Sequence, residues 1–181
     1  MPSELQFTLT RYPEPVLRRV ATPVQTFDAD LEGTVRAMFE LMYKSQGVGL
    51  AAPQVGLGVR LLVLDPTGDP SDSDSKPLVF VNPTLVELTG PSSTYEEGCL
   101  SFPGIYAEVR RPERCRVRAQ GVDGQTFEAE YDGFVSRILQ HEYDHLEGVL
   151  LVDRMSPADK QRHKAALQEL VDRFKSARSA R

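Results

Sequence analysis

Five residues, His141-Glu142-Tyr143-Asp144-His145, restrict the fold more than any other stretch of this 181-residue chain. On a helix, positions four apart share a face about one turn apart, so both imidazoles can reach one metal ion. Glu142, beside the first histidine, can then approach a water at that ion and move its proton. The bland alternative is a pair of surface histidines on a charged helix. It fits the neighbours poorly, because Ile138, Leu139, Gln140 and Leu146, with Gly148 just beyond, give this helix a buried character. Buried imidazoles need partners. The rest of the chain has to wrap such a helix and complete its metal site.

Two ligands do not complete a hydrolytic site, which usually takes three from the protein and leaves a position for water. Downstream, the only remaining histidine is His163, in the polar run Lys160-Gln161-Arg162-His163-Lys164, where a solvated helix face is the simpler reading. Upstream, Cys99 in Glu96-Glu97-Gly98-Cys99-Leu100-Ser101-Phe102-Pro103 is the candidate. A thiolate binds divalent ions strongly, and the preceding glycine allows close backbone approach. Taken alone, a cysteine there is as readily a small buried residue, the reading that suits Cys115. A third segment, Gly47-Val48-Gly49-Leu50-Ala51-Ala52-Pro53-Gln54, is not a phosphate loop, since no Lys-Ser/Thr pair follows its glycines. Its polar residue, Gln54, can point an amide donor into a site.

The remaining pattern predicts an α+β fold. Leu31, Val35, Met38, Phe39 and Met42 recur at helical spacing behind Asp28 or Asp30 as N-cap, and this helix should end near Ser45-Gln46-Gly47. Val59 to Leu64 and Leu78 to Val81 read as short buried strands, and Asp65 to Ser75 between them as a solvated loop. Arg114 to Gln120 and Gln125 to Tyr131 flank Val122-Asp123-Gly124, a hairpin signal. Phe134 to Leu146 is the metal-site helix, and Pro157 to about Phe174 a closing helix. One domain over residues 1–181 follows, with short antiparallel strands packed around the buried metal-binding helix and a C-terminal helix.

Charge is unevenly spread within the net of −5. Residues 156–181 carry seven Lys/Arg against three Asp/Glu, a local +4, and the other 155 residues carry 14 against 23, or −9. An acidic body argues against sequence-specific nucleic-acid binding, while the basic tail suits an anionic surface. No apolar run reaches the roughly 18 residues that span a bilayer. Met1-Pro2-Ser3-Glu4-Leu5 has neither the basic–apolar pattern of a secretory signal nor an Arg-rich transit composition, so a cytoplasmic protein with no membrane partner is expected.

Three segments in order resemble the peptide deformylase family. Gly47 to Gln54 is similar to its GxGLAAxQ motif, Glu97-Gly98-Cys99-Leu100-Ser101 to its EGCLS motif, and Gln140 to Gly148 to its QHExDHLxG motif. The likeness runs from Arg11-Tyr12-Pro13 to Asp153-Arg154, with Tyr143 where many members carry Met or Ile. It implies that Cys99, His141 and His145 hold one divalent metal ion, commonly Fe(II) with Zn, Ni or Co as substitutes. It implies Glu142 as general base and then acid, and Gln54 with the backbone N–H of Leu100 as oxyanion hole. The substrate would be the formyl-methionine end of a new polypeptide. It would lie as a strand beside Val48-Gly49 and Gly98, its methionine in an apolar pocket of Val48, Phe134, Ile138 and His141. Arg137 belongs either at that pocket's rim or on a solvent-facing helix side. In the family the C-terminal helix can dock on the ribosome, and the basic tail leaves open that role or an ordinary closing helix. Rival readings are an HExxH endoprotease, which lacks a good downstream ligand, and a binding module with a structural metal, which would need a fourth protein ligand. A deformylase-like protein without activity is the third, and Gln54, Cys99, Glu142 and both histidines are all present.

Overall fold

The computed structural model describes residues 6–179; the start Met1 to Leu5 and the last two residues of the basic tail lie outside them. The order of elements is helix α1 (Ala29–Lys44), strands β1 (Gly49–Ala51), β2 (Leu61–Leu64), β3 (Leu78–Cys99), β4 (Phe102–Gln120) and β5 (Thr126–Asp132), then helices α2 (Gly133–Leu146), α3 (Leu151–Arg154), α4 (Pro157–Arg162) and α5 (Lys164–Ser179). All five strands form one antiparallel sheet in sequence order, so β1 and β5 are its edges. The fold is α+β, as the element pattern predicts.

Helix α1 starts where its sequence says it should. Asp28 is extended, and its carboxylate accepts from the N–H groups of Asp30 and Leu31, both at 3.1 Å. Two otherwise orphaned donors are thereby satisfied. Strand β2 is buried on both faces and divides the core. Leu62 and Leu64 point toward α2, where Ile138, Leu139 and Leu146 meet Phe80, Cys115 and Val117. Leu61 and Val63 point the other way, toward Leu31, Val35, Met38 and Met42 of α1. This two-residue alternation lets four consecutive apolar residues serve two cores. A third cluster, with Leu17, Phe102, Ile105, Leu151, Met155 and Leu170, fastens the last helices to β4.

Three expectations change. The strands are not all short: β3 has 22 residues and β4 has 19. Pro83, Gly90 and Pro91 interrupt the hydrophobic pattern of β3, and the chain absorbs them as irregularities in its pairing with β4, between Val81 and Thr84 and between Thr89 and Ser92. The closing helix is two helices broken at His163, whose Nε2 is 2.7 Å from the carbonyl oxygen of Tyr106. His163 is thus a tether between the tail and β4, rather than part of a solvated face. The loop after β2 is solvated except at its first residue, Asp65, which is fully buried.

Candidate metal centre and peptide cleft

A cavity of about 660 Å³ opens between the edge at Gly47, Val48 and Gly49 and the end of β3 at Tyr95 to Cys99. Helix α2 closes it from behind with Phe134, Arg137, Ile138, His141 and Glu142. Gly49 makes this packing possible. A Cβ there would lie 2.6 Å from Glu142 Oε1 and 2.7 Å from Ile138 Cγ2, closer than real Cβ contacts come. At Gly98 a Cβ would meet the Tyr106 ring at 2.7 Å. Both walls of the cleft therefore run close because these residues lack side chains.

Across the cleft, the tight turn after β3 brings Cys99 to α2. Among the described residues, Cys99, His141 and His145 form one group whose ligand atoms all lie within 4.8 Å of one another. Cys99 Sγ is 3.3 Å from His145 Nε2. The Nδ1 of His141 is 3.0 Å from Glu97 Oε2, which leaves its Nε2 free for the group. One sulfur and two imidazole nitrogens suit a divalent transition ion, and three protein ligands leave a position open. His145 has its pKa well below the ordinary value, first because it is buried and then because His141 and Arg111 lie near, so it offers a lone pair. For His141 burial acts against charge, yet the contacts with Cys99 and Glu97 outweigh it and raise the pKa well above the ordinary value.

Glu142 is buried, and its Oε2 has no hydrogen-bond partner; His145 Nδ1 has none either. Burial pushes the Glu142 carboxyl up to about 7, against partial relief from His141 and Arg111. A buried carboxyl without a protein partner is free to exchange a proton with whatever enters the cleft. Gln54 sits in a short 3₁₀ turn after β1. Its Oε1 accepts from Ala51 N–H at 2.9 Å, so its amide nitrogen must face the other way. That nitrogen lies 3.6 Å from Cys99 Sγ and 3.3 Å from Ser101 Oγ. Ser101 donates in turn to the Thr10 carbonyl at 2.8 Å. Leu100 lines the same cavity.

The residues expected at the site lie together around one cavity, and behind them stand charges that the sequence did not announce. Glu97 accepts from Arg111 at 2.8 and 3.0 Å and from Arg137 at 2.8 Å, besides facing His141. Arg111 also donates to Asp144 at 2.9 Å, and Arg154 donates to both oxygens of Asp144. Burial acts against the charge on Glu97, and its bonds with His141 and Arg111 prevail, holding its pKa at about 2. Such a carboxylate fixes the ring and tautomer of a metal-binding histidine. Arg137 resolves to neither of its two expected sites alone. It lines the cleft, but its guanidinium is turned inward to Glu97, the Val109 carbonyl, and the carbonyl and hydroxyl of Ser93. The available signal was the acid–base pairing of Glu97, Arg111, Arg137 and Asp144, which sequence spacing alone does not connect.

Comparison with known proteins gives one answer. Residues 7–161 match the family model described as polypeptide deformylase. A peptide deformylase of Chromobacterium violaceum is 47% identical over 161 residues, covering 89% of this chain and 93% of that protein. The chloroplastic/mitochondrial peptide deformylase 1B of Arabidopsis thaliana is 46% identical over 153 residues, 84% of this chain but 55% of that protein. The chain therefore spans little more than half the length of that plant relative. A crystal structure of a plant peptide deformylase superposes with a TM-score of 0.92 at 41% identity, covering 98% of this chain and 95% of that one.

Proposed function

Since the chain belongs to the polypeptide deformylase family, we propose that it removes the N-formyl group from the formyl-methionine end of new polypeptides and releases formate. The observation that carries this reading is the convergence of Cys99, His141 and His145 beside the unpartnered carboxylate of Glu142. We read residues 1–181 as one catalytic domain.

Cys99, His141 and His145 would hold one divalent ion, with Fe(II) first and Zn, Ni or Co as substitutes. When bound, that ion supplies positive charge that polarises the formyl oxygen and acidifies water. Glu142 takes a proton from the attacking water and passes it to the leaving amine of methionine. The amide of Gln54 and the backbone N–H of Leu100 donate to the carbonyl oxygen as it gains charge. One such preorganised donor is worth about 2.7–4 kcal/mol. The peptide backbone pairs with the edges at Val48, Gly49 and Gly98, as an added strand whose hydrogen bonds ignore later side chains. Val48, Phe134, Ile138 and His141 enclose the methionine side chain. Phe134 is 47% exposed without a ligand, so burial against a substrate is available to it.

No helix among the described residues is long and apolar enough to cross a membrane. We place the enzyme in the cytoplasm, where emerging formyl-methionyl chains are its partners, and the basic tail suits either a ribosome contact or an ordinary closing helix. The decisive test is formate release from a short formyl-Met peptide by protein loaded anaerobically with Fe(II) or Ni(II), with the acetyl-Met peptide as control. Release from the first alone is expected. Glu142→Ala should keep its metal and lose turnover by about 10²- to 10⁴-fold. Release at the parental rate by that variant would overturn the role given to Glu142, and cleavage of internal peptide bonds would favour the protease reading.

A further inference from the structure

We propose that Asp65, which is not among the metal ligands, is a positioning residue for the peptide-binding edge at Gly47 to Gly49; this rests on the deformylase reading. Asp65 directly follows β2 and is fully buried. Its Oδ2 accepts from the Tyr43 hydroxyl at 2.9 Å and from the Ser75 hydroxyl at 2.6 Å. Its Oδ1 accepts from Thr67 N–H at 3.1 Å, the Thr67 hydroxyl at 2.9 Å and Lys76 N–H at 3.3 Å. One carboxylate thus ties together the last turn of α1 and both ends of the loop between β2 and β3. Burial alone would raise its pKa, and the bonds from Ser75, Thr67 and Tyr43 prevail and bring it to about 2.

Two contacts carry this organisation to the cleft. The backbone N–H of Asp65 donates to the Val48 carbonyl at 2.9 Å. The loop lies directly on the same edge at Gly68, where a Cβ would stand 3.3 Å from both the Gly47 carbonyl oxygen and Val48 Cγ1. Gly68 has φ +65, so glycine fits there on both counts. Val48 and Gly49 are the residues against which the formyl peptide is read to pair, and β1, which begins at Gly49, has only three residues to hold its own course. A strand so short takes its geometry from what is packed behind it. Asp65 supplies that backing by fixing the loop in one conformation.

Asp65→Asn keeps the shape and exchanges one acceptor oxygen for a donor. Losing charge-assisted bonds of this kind should raise KM for a formyl-methionyl tripeptide by about tenfold. The kcat should stay within about twofold, because the groups on the reacting carbon are unmoved. Metal content should match the parent, and hydrogen exchange should quicken in peptides spanning 46–50. A folded variant with parental KM and parental exchange at 46–50, whatever its melting temperature, overturns the proposal. So does a fall in kcat at unchanged KM. If Asp65→Asn does not fold, Tyr43→Phe and Ser75→Ala each remove one bond and should raise KM by about two- to fivefold; no rise in either has the same force. Absence of formate release from the loaded parent protein would instead overturn the deformylase reading, and exchange at 46–50 would then decide the positioning role by itself.

Discussion

Strand β4 carries two arginines five positions apart that lead opposite lives. Arg111 is 4% exposed and joins Glu97 and Asp144 behind the candidate metal centre. Arg116 lies on the outer face of the sheet, where it meets Glu87 at 2.7 Å and Glu128 at 3.2 Å with its side chain 42% exposed. The distances are alike, and the surroundings are not. On the outer face water solvates each partner almost as well as the other does, so the pairs add little. In the interior each charge depends on its partners, and removing one strands the rest. The inner network therefore fixes geometry, and the outer one serves solubility and the sheet surface.

Replacing each arginine in turn sharpens that contrast. Arg111→Ala is expected to destabilise the protein by about 3–5 kcal/mol in urea unfolding, because Glu97 and Asp144 lose a buried partner. A loss below about 1 kcal/mol, the range of exposed pairs, would break the comparison.

Acid titration is the next, smaller test. Glu97 is held at about 2 against an ordinary 4.5. A carboxyl depressed by folding contributes stability that is complete above its ordinary value and lost as pH falls through its folded value. Glu142, pushed up to about 7, has the opposite sign: folding favours its protonated form, so its contribution is complete below 4.5 and lost as pH rises through about 7. Urea unfolding of metal-free protein should show an acid slope that Glu97→Gln reduces and a near-neutral dependence, shared with His141 and His145, that Glu142→Gln changes. Slopes unchanged in both variants would place the titration elsewhere.

The smallest effect belongs to the outer face. Arg116→Ala should cost less than about 1 kcal/mol, and the difference should shrink further in 1 M salt. A larger, salt-insensitive loss would mean that this face is more enclosed than its exposure implies.

What the sequence made legible follows the same division. Elements that advertise themselves locally were readable: Asp28 as one of two candidate caps of α1, the hairpin around Asp123-Gly124, and Gly148 with φ +69 past the end of α2. The grouping of Cys99 with His141 and His145 was suggested by the four-residue spacing of the two histidines and, for Cys99, by the family resemblance. The length of β3 was hidden, since Pro83, Gly90 and Pro91 look like stops when pairing with β4 cannot be seen. The charges behind the centre were hidden too. Arg111 carries no local signal, and Arg137 reads as a pocket-rim or a solvent-facing residue, until folding brings Glu97, 14 and 40 positions away, between them.

The position of β1 has a consequence for how the protein behaves in company. As an outer strand of the sheet, it has a strand partner on one side only, the feature that lets neighbouring molecules zip into aggregates. If a peptide pairs there as proposed, the edge has to stay sticky toward one short guest while remaining inert toward its own kind. With three residues in β1, backed by α2 at Gly49 and preceded by Gly47 and Val48 under the loop at Gly68, the edge suits the chain end proposed to bind there. It is too short to start a growing stack.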